Sequence, residues 1–565
     1  MDGTTGATAE HGRTDRPAGS GVRRTVRRAG LAAAVAAVVL SALPWATAGS
    51  ATAIAADRAG ITTTVTGTTA GADPATWGPV PGTARVGGSG PRWCPPVPGH
   101  RVDCGTVDRP LVAGQPALGR TTVAYAVVRH RDPGAAKGTV AVNPGGPGEV
   151  AVDRAADFAG ALHGLLGDHD LLLVDPRGTG RSQRLPCGLT DAEYRFGGRA
   201  EQREAVARCA RTLGPRARAY TTAATADDID AVRALIGARQ LSLYGLSYGT
   251  YLMPVYASRH PERVRNIVLS GAYPLGFDPL AGSSARAVSL ALHRICERSA
   301  VPGGGRACEG GEAVRNLATT AARLRARPMP VTVEVAGVPR RLLFTEGKLS
   351  NLAFEGASRA VGIAPGEPSL LGSLPHALDR FVLGDRDPLT RLVREEYAGA
   401  TTEDQAPYVA VVCNDYRRAW DGAAPEGERW RQYRAAVAGA APGSFGAFSG
   451  RGFLEGPTDG GDVCIGWPRA LSMDPQPTRP ALPNVPVLVL SGDLDANTTA
   501  HNSRIAARQF ERSRFFSVPN TGHVPELEPG GCVVGVTATF LRTSAPGDTS
   551  CLRGLPAVTV TPVRR

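Results

Sequence analysis

Lysine is nearly absent from the sequence: Lys137 and Lys348 are the only two among 63 basic residues, and the rest are arginines. The formal net charge is +12, yet the arginines are interspersed with acids, and no long basic block follows Arg28. Electrostatic recognition of nucleic acid needs clustered positive charge. We therefore expect no nucleic-acid partner, and a chain of 565 residues that is long enough to bury a large core.

The sequence also has no C-x-x-C pair, although it has ten cysteines. This spacing disfavours a zinc site or a thiol redox site. An even number of cysteines suits an oxidising compartment, and the spacing suggests that neighbours in sequence pair, while sequence alone leaves other connectivities open. The suggested pairs are Cys94 with Cys104, Cys187 with Cys209, Cys296 with Cys308, Cys413 with Cys464, and Cys532 with Cys551.

The apolar run near the amino terminus, Leu31 to Leu40, is too short to span a bilayer comfortably. It follows an arginine-rich stretch and precedes small residues around Ala46, which is the pattern of an export signal. The sequence thus predicts a signal peptide over residues 1–48, a secreted protein and no stable membrane anchor. No cysteine lies near the expected cut, which argues against a lipid anchor.

Residues 49–92 are rich in Thr, Gly, Ala and Pro, with too little apolar surface to offset the entropy of ordering, so we expect a flexible lead-in. From Val102 onward, short apolar runs alternate with helical patterns. Several runs are continuously apolar, as in parallel strands covered by helices on both faces. The runs are TTVAYAVVRHR, GTVAVNPGG, HDLLLVDPRG, RQLSLYGLS, VRNIVLSGA, VPVLVLSGD and SRFFSVPN.

One of these runs leads into YGLSYGTYL, residues 244–252, which contains the pattern G-x-S-x-G around Ser247. In that pattern the serine occupies a strained strand-to-helix turn, and a β-carbon at Gly245 or Gly249 would collide with the neighbouring strand and helix. The turn exposes the serine hydroxyl at the carboxyl end of the sheet. The pentapeptide alone is also compatible with an ordinary turn.

A serine nucleophile requires a histidine and an acid, in the chain order Ser, Asp, His for this kind of turn. The strand in VLVLSGDLDANTT delivers Asp493 and Asp495, and the loop after the last strand carries His523. We favour Asp495 as the acid, because a position beyond the turn can reach the histidine, whereas Asp493 is suited to cap the turn itself. The acid would hold the tautomer of the histidine and stabilise the imidazolium.

The stretch AVNPGGPGE follows an earlier strand and offers backbone N–H groups at Gly145 and Gly146 for an oxyanion. The N–H of Tyr248, the residue after the nucleophile, is the expected second donor. An ordinary Gly-Pro turn is the alternative interpretation of this stretch.

Taken together, NPGGPG, DPRGTGRS, YGLSYGTYL, GDLDANTT and NTGH resemble the α/β-hydrolase branch that holds secreted bacterial tripeptidyl aminopeptidases and, more distantly, proline iminopeptidases. The resemblance runs from Trp93 to Cys551 and implies an α/β-hydrolase fold. It implies the following roles: Ser247 as nucleophile, Asp495 as acid, His523 as base, and Gly146 and Tyr248 as oxyanion donors. The segments CNDYRRAW and CIGWP resemble that branch too, which supports the pair Cys413 and Cys464. One position departs from it, because the branch usually continues NPGGPG with small residues and Glu149 stands here.

The chain between the strands VRNIVLSGA and VPVLVLSGD has its own helical patterns, SARAVSLALHRICERSA, EAVRNLATTAARLRA and GERWRQYRAAVAGA. We expect residues 275–482 to form a large, mainly helical cap, inserted between two parts of the core at 93–274 and 483–565. A cap limits access to the site and so favours short peptides. An aminopeptidase also needs a carboxylate for the substrate's ammonium group. Candidates in the cap are Glu355, Glu395, Glu396 and Asp415, and none is assigned.

The sequence thus predicts a secreted serine exopeptidase of the tripeptidyl aminopeptidase kind, acting near the free N-terminus of short peptides through an acyl-enzyme, with no metal or organic cofactor. An esterase or lipase, or a proline iminopeptidase-type hydrolase, would use the same triad. A non-catalytic secreted binding protein on a hydrolase scaffold is a further alternative. A dehalogenase or epoxide hydrolase needs a carboxylate nucleophile, which the serine at residue 247 excludes.

Overall fold

The computed structural model describes residues 90–301, 304–359, 361–362, 364, 366–456, 461–468 and 481–563. The expected signal peptide, 1–48, and nearly all of the expected lead-in, 49–92, lie outside the described residues. Across the described ranges, no helix combines the length and apolar character needed to cross a membrane.

An eight-stranded sheet with the order β1-β2-β4-β3-β5-β6-β9-β10 organises the fold. The pairs β1–β2 and β2–β4 are antiparallel, so β2 alone runs against the other strands of this sheet, and all other neighbouring pairs are parallel. This confirms the predicted α/β-hydrolase fold with a mostly parallel sheet. The strands are β1 (Val102–Pro110), β2 (Arg120–Val128), β3 (Gly138–Asn143), β4 (His169–Val174), β5 (Leu241–Leu246), β6 (Val264–Ser270), β7 (Met329–Val335), β8 (Val338–Phe344), β9 (Val487–Gly492) and β10 (Ser513–Val518).

Helices connect the strands and cover the sheet. They are α1 (Ala155–Ala161), α2 (Asp191–Phe196), α3 (Arg199–Leu213), α4 (Thr222–Leu235), α5 (Gly249–Arg259), α6 (Gly282–Arg298), α7 (Gly310–Ala326), α8 (Glu346–Ser358), α9 (Leu370–Val382), α10 (Asp387–Ala398), α11 (Ala406–Asp415), α12 (Glu426–Ala438), α13 (Gly450–Leu454), α14 (Ala500–Ala507) and α15 (Cys532–Thr543).

The sheet is buried on both faces, as the continuously apolar strands predict. In β5, Leu241 and Leu243 face a core shared with α3, α4 and α5, whereas Tyr244 and Leu246 face a second core shared with α1 and α15. Successive side chains of a strand point to opposite faces, so an apolar strand supplies both cores at once.

Residues 271–486, which we call the β6–β9 segment, contain helices α6 to α13 and the antiparallel pair β7–β8. Helices α6 to α10 and this pair enclose their own hydrophobic core, which also takes in Leu494 and Ala496 from the loop after β9. The expectation of a mainly helical segment left out the hairpin. Its signal is in the sequence: side chains of β7 alternate between buried and exposed, and Ala336 and Gly337 both have positive φ, as a type I′ hairpin turn requires.

The ten cysteines form five disulfides in the pairing suggested by their spacing. The bonds are Cys94–Cys104, Cys187–Cys209, Cys296–Cys308, Cys413–Cys464 and Cys532–Cys551. Sequence separations within the pairs range from 10 to 51 residues, so each bond closes a loop within one region of the chain.

Candidate active site

Ser247 stands in a sharp turn between β5 and α5. Its φ of 51° lies in the left-handed region, which is strained for a residue with a side chain. The glycines on either side have no room for a β-carbon. A β-carbon on Gly245 would lie 2.3 Å from the carbonyl oxygen of Gly249, and one on Gly249 would lie 2.7 Å from the carbonyl oxygen of Asn143 in β3. The turn therefore requires both glycines for the reason that the motif predicts.

His523 and Asp495 are in direct contact. Nδ1 of His523 donates to Oδ2 of Asp495 over 2.9 Å, and both side chains are fully buried. A carboxylate can only accept, so the proton of a neutral imidazole sits on Nδ1 and leaves the lone pair on Nε2. Among the described residues, Nε2 is buried without a hydrogen-bond partner. This is the tautomer that a general base for a serine hydroxyl requires.

Thr498 contacts both Asp495 and His523, and the sequence analysis did not identify it. Its hydroxyl donates to Oδ2 of Asp495 over 2.6 Å and lies 2.9 Å from Nδ1 of His523. The backbone N–H of Thr498 also donates to Oδ1 of Asp495 over 3.0 Å. Together with Nδ1 of His523 and the backbone N–H of Asn497, four donors from three residues orient the carboxylate of Asp495. The signal was the hydroxyl three positions after the aspartate in DANT, a spacing typical of a side chain that closes a local turn.

Asp493, the other aspartate of this loop, is engaged elsewhere. Its Oδ2 pairs with Nη2 of Arg298 over 2.6 Å, and its Oδ1 accepts from the backbone N–H of Asn520 over 2.8 Å. Asp493 thus ties α6 to the loop before His523. Of the two aspartates, the structure brings Asp495 to the histidine.

Ser247 and His523 meet the same strand end. The backbone N–H of Ser247 donates to the carbonyl oxygen of Ser270, the last residue of β6, over 3.0 Å. A β-carbon on the next residue, Gly271, would lie 3.1 Å from Cε1 and Nδ1 of His523. The imidazole of His523 therefore lies against Gly271, the residue after the one whose carbonyl accepts from Ser247.

The loop after β3 passes directly beside the serine. A β-carbon on Gly145 would lie 2.8 Å from Cβ of Ser247 and 3.4 Å from its Oγ. The N–H of Gly145 is used by its own strand end, since it donates to Oδ1 of Asn143 over 3.1 Å. Of the two glycines offered by the sequence, Gly146 is the one whose N–H this bond leaves available. Tyr248 begins the turn into α5, where helical N–H groups have no partner within the helix.

The last residue of α8, Ser358, contacts the loop that carries His523, which we call the histidine loop. The backbone N–H of His523 donates to the carbonyl oxygen of Ser358 over 2.7 Å. A β-carbon on Gly522 would lie 2.7 Å from that same oxygen and 2.6 Å from Cγ2 of Val361. The β6–β9 segment therefore contributes directly to the position of the histidine.

The sequence offers four carboxylates of the β6–β9 segment as ligands of an ammonium group, and two of them, Glu355 and Glu396, are in ion pairs with arginines. Glu355 forms an ion pair with Arg359. Although burial raises the pKa of Glu355, the charges of Arg359, Arg195 and His523 hold it below its usual value. Glu396 pairs with Arg195 over 2.5 Å and lies 3.5 Å from Arg359. These acids balance arginines beside the site.

The remaining two carboxylates differ in burial. Asp415 is 1% exposed and accepts from the backbone N–H of Thr222 over 2.5 Å. Burial raises its pKa to about 6, against the lowering effect of its hydrogen bonds to Thr222. Glu395 lies exposed on α10.

A cavity of about 70 Å³ lies between the β6–β9 segment and the chain that follows β9. Its walls include Tyr273, Phe277, Phe354, Tyr416 and Asn497. The backbone N–H of Asn497 donates to Oδ1 of Asp495 over 2.7 Å, so the cavity adjoins the acid loop. Aromatic walls beside the loop of Asp495 suit an apolar group of a ligand.

Comparisons with known proteins point to one group of enzymes. A family model described as alpha/beta hydrolase fold matches residues 138–297, and one described as TAP-like protein matches residues 456–551. The first contains Ser247 and the second contains Asp495 and His523.

Three relatives illustrate the similarity. Serine protease Hip1 of Mycobacterium tuberculosis is 31% identical over 201 residues, which cover 33% of this chain and 38% of that protein. Tripeptidyl aminopeptidase of Streptomyces lividans is 30% identical over 197 residues, covering 31% and 36%. Carboxylesterase B of Mycobacterium tuberculosis is 42% identical over 93 residues, covering 16% and 18%. The chain thus spans less than two-fifths of the length of these curated relatives.

Proposed function

The chain belongs to the α/β-hydrolase family, in its branch of TAP-like proteins, and on that premise we propose that it is a secreted serine exopeptidase. It hydrolyses peptide bonds near the free N-terminus of short peptides, in the manner that the name tripeptidyl aminopeptidase gives to a relative. The observation that carries this proposal is the bond between Nδ1 of His523 and Asp495, beside the strained turn of Ser247.

The mechanism is two-step acyl transfer. Ser247 attacks the scissile carbonyl while Nε2 of His523 takes the hydroxyl proton, and Asp495 stabilises the imidazolium. The N–H groups of Gly146 and Tyr248 hold the oxyanion, a contribution of about 3 kcal/mol for each donor in enzymes of this kind. His523 then protonates the departing amine, and water, activated by the same histidine, hydrolyses the acyl-enzyme.

The preference for short peptides follows from the β6–β9 segment. We assign residues 275–482 as a cap over a core formed by 93–274 and 483–565. Ser358 of the cap contacts the histidine loop, and aromatic residues of the cap line a cavity together with Asn497 of the acid loop. A folded protein substrate would clash with such a cover, whereas a short peptide can enter beneath it.

Export is part of the proposal, with residues 1–48 as the signal peptide. The five disulfides support an oxidising compartment. Expression of the full chain in a bacterial host, followed by amino-terminal sequencing of protein from the medium, tests it. A mature terminus near residue 49 is expected, and full-length protein retained in the cells would contradict it.

An esterase is the second candidate function, favoured by the similarity to carboxylesterase B. The two activities share the triad and differ in whether the substrate's amino group matters. The ratio of rates on a free-amine tripeptide anilide, its N-acetylated form and an acyl ester separates them: a peptidase acting at the free N-terminus favours the first, and an esterase favours the last.

Ser247→Ala tests the triad in either case. The variant is expected to lose nearly all hydrolysis of both peptide anilides and esters, because the acyl-enzyme is no longer formed. Ser242→Ala is a matched control, since Ser242 lies on the same strand and its buried hydroxyl has no hydrogen-bond partner among the described residues. Unchanged turnover in Ser247→Ala would rule out the assignment, whereas no hydrolysis of any of these substrates by the unmodified chain would favour a binding protein.

A further inference from the structure

Glu149 is the first charged residue after the glycine loop that follows β3. A β-carbon on Gly146 would lie 3.2 Å from Cγ of Glu149 and 2.9 Å from its backbone nitrogen. The stem of the glutamate thus runs alongside the glycine proposed to hold the oxyanion. This loop also touches the β6–β9 segment, because a β-carbon on Gly148 would lie 3.1 Å from the backbone nitrogen of Tyr408.

Glu149 lacks the partners that its neighbours have. Its residue is half-buried, and within the described ranges its carboxylate forms no hydrogen bond or ion pair. Burial, followed by the charge of Glu403, raises its pKa to about 7, and the charges of Arg154 and Arg359 only partly oppose this. A carboxylate in such surroundings gains strongly from a cation that arrives beside it.

Acids of the β6–β9 segment differ from Glu149 in pairing or in position. Glu355 and Glu396 balance Arg359 and Arg195, so a further cation there would have to displace an existing partner. Asp415 accepts from the N–H of Thr222 through Oδ2, and its buried Oδ1 has no partner among the described residues, but it lies on α11 and not on the glycine loop. Glu149 is the carboxylate without a partner on the loop that carries Gly146.

We propose that Glu149 binds the α-ammonium group of the substrate and so selects peptides with a free amino terminus. This rests on the proposed serine peptidase function and adds the residue that fixes its substrate class. Because Glu149 lies on the loop that carries Gly146, binding the ammonium also aligns the scissile carbonyl with the oxyanion donors. No bond is made or broken at the glutamate, so it is a specificity residue.

The test compares Glu149→Gln with the full, unmodified chain and with Glu334→Gln as a control. Glutamine keeps the shape of the side chain and removes its charge, and Glu334 is an exposed glutamate on β7, away from the triad. Three substrates are used: a free-amine tripeptide p-nitroanilide, its N-acetylated form, and p-nitrophenyl acetate. The neutral ester reports on the triad and the oxyanion hole alone.

We expect Glu149→Gln to lower kcat/KM on the free-amine substrate by about tenfold to a hundredfold, the usual cost of removing one partner of a charged hydrogen bond. The loss should be mainly in KM. Hydrolysis of the ester and of the acetylated anilide should stay near the unmodified rate, as should all three rates in Glu334→Gln. Glu149→Asp, which keeps the charge on a shorter stem, should recover part of the loss.

A pH profile adds a reading that a merely structural role would not give. The ratio of kcat/KM on the free-amine substrate to kcat/KM on the ester cancels the contribution of His523, which both reactions share. In the unmodified chain this ratio should fall as pH drops through about 7, because the carboxyl of Glu149 becomes neutral. Glu403, Arg154 and Arg359 face it and set that value, and the ratio in Glu149→Gln should be flat.

Several results would overturn the proposal. One is an equal loss on the ester and on the free-amine substrate, which would mean that the variant has damaged the oxyanion loop. Another is an unchanged preference of Glu149→Gln for the free-amine substrate over its N-acetylated form. The rate at which a fluorophosphonate labels Ser247 shows whether each variant keeps a folded site. If the unmodified chain is labelled and hydrolyses esters but ignores the amino group, this inference fails alone; if Ser247 is not labelled, the proposed function fails with it.

Discussion

The turn at Ser247 requires a strained backbone, and it excludes any residue with a β-carbon at Gly245 and Gly249. A serine with φ of 51° is held in a conformation that costs about 1–3 kcal/mol for residues with a β-carbon. The surrounding structure holds this conformation, because the N–H of Ser247 donates to Ser270 and a β-carbon on either flanking glycine would collide with backbone atoms. Strain of this kind concentrates at functional sites, where a side chain must stand clear of the sheet.

The two aspartates of the acid loop give a matched pair of variants. Asp495→Asn should lower kcat by about 10⁴-fold, because an amide at this position stabilises the wrong histidine tautomer and no imidazolium. Asp493→Asn should leave kcat nearly unchanged and lower the free energy of unfolding by about 1–3 kcal/mol, through loss of its charged bond to Arg298. Steady-state kinetics and urea unfolding of both variants decide the point; a larger kinetic loss in Asp493→Asn would reverse the assignment of the acid.

Thr498 offers a test of how closely the acid must be held. Thr498→Val removes the hydroxyl that donates to Asp495 and lies beside Nδ1 of His523, while its shape is kept. We expect kcat to fall by about tenfold, the equivalent of one hydrogen bond, with KM little changed. Thr498→Ser should restore activity. Equal losses in the serine and valine variants would show that the methyl group, rather than the hydroxyl, matters here.

At the scale of the elements, the sequence predicted the strands that build the site. Each continuously apolar run became a strand, because burial on both faces leaves a signal that does not depend on tertiary detail. Strand β1 was missed since Val102–Pro110 contains Gly, Asp and Pro and is partly exposed at the edge of the sheet. The hairpin β7–β8 was missed although its alternation and its turn were both visible.

The candidate site remains a prediction from the order of motifs, and the contact between His523 and Asp495 is the part that the structure describes. Ser247, Asp495 and His523 stand in motifs whose order carries the information. No motif predicts the residues that contact them. The bond from Thr498 and the contact of Ser358 with the histidine loop depend on how distant elements pack. Gly145 and Gly146 looked equivalent in the sequence, and only the side chain of Asn143 distinguishes them.

The junction of α7, α8 and α13 predicts an acid-sensitive element. Glu346 accepts from Arg325 and from the N–H and hydroxyl of Ser449. Burial raises the pKa of Glu346, but these donors outweigh it and hold the pKa below the usual value. The folded state therefore binds this proton less readily than the unfolded chain, so the stability from Glu346 is present above about pH 4.5 and is lost as pH falls through the folded value.

Glu346→Gln should accordingly be less stable than the unmodified chain at pH 7, by about 1–3 kcal/mol. The difference should shrink as pH falls toward 3, where the glutamate is protonated too. Urea unfolding from pH 3 to pH 8 measures it, with the exposed Glu334→Gln as the control. A difference that stays constant across this range would mean that the charge of Glu346 contributes nothing.

For the whole molecule, disulfides and the hydrophobic core of helices α6 to α10 and the pair β7–β8 stabilise the β6–β9 segment. Cys413–Cys464 closes a loop of the β6–β9 segment with a separation of 51 residues, and Cys94–Cys104 closes one of only 10. The other three bonds close loops with separations of 12, 19 and 22 residues. The longest loop lies in the segment that contributes Ser358 and the aromatic cavity to the site.

Removing these two bonds should affect stability unequally. Loop-closure entropy gives about 4 kcal/mol for the pair Cys413→Ala and Cys464→Ala, and about 3 kcal/mol for the pair Cys94→Ala and Cys104→Ala. The loss for the first pair should be larger still because Cys413 is fully buried and alanine leaves a gap. Urea unfolding of both double variants checks the order; an equal loss, or a larger one for the short loop, would contradict it.

The central claim is that one serine at the end of β5 is the nucleophile, activated by His523. Labelling the folded protein with a fluorophosphonate and mapping the adduct by peptide mass measures this most directly. The account predicts a single adduct on Ser247, formed far more slowly in His523→Gln and absent after unfolding in urea. Labelling of another residue in the folded protein, or none at Ser247, would contradict it.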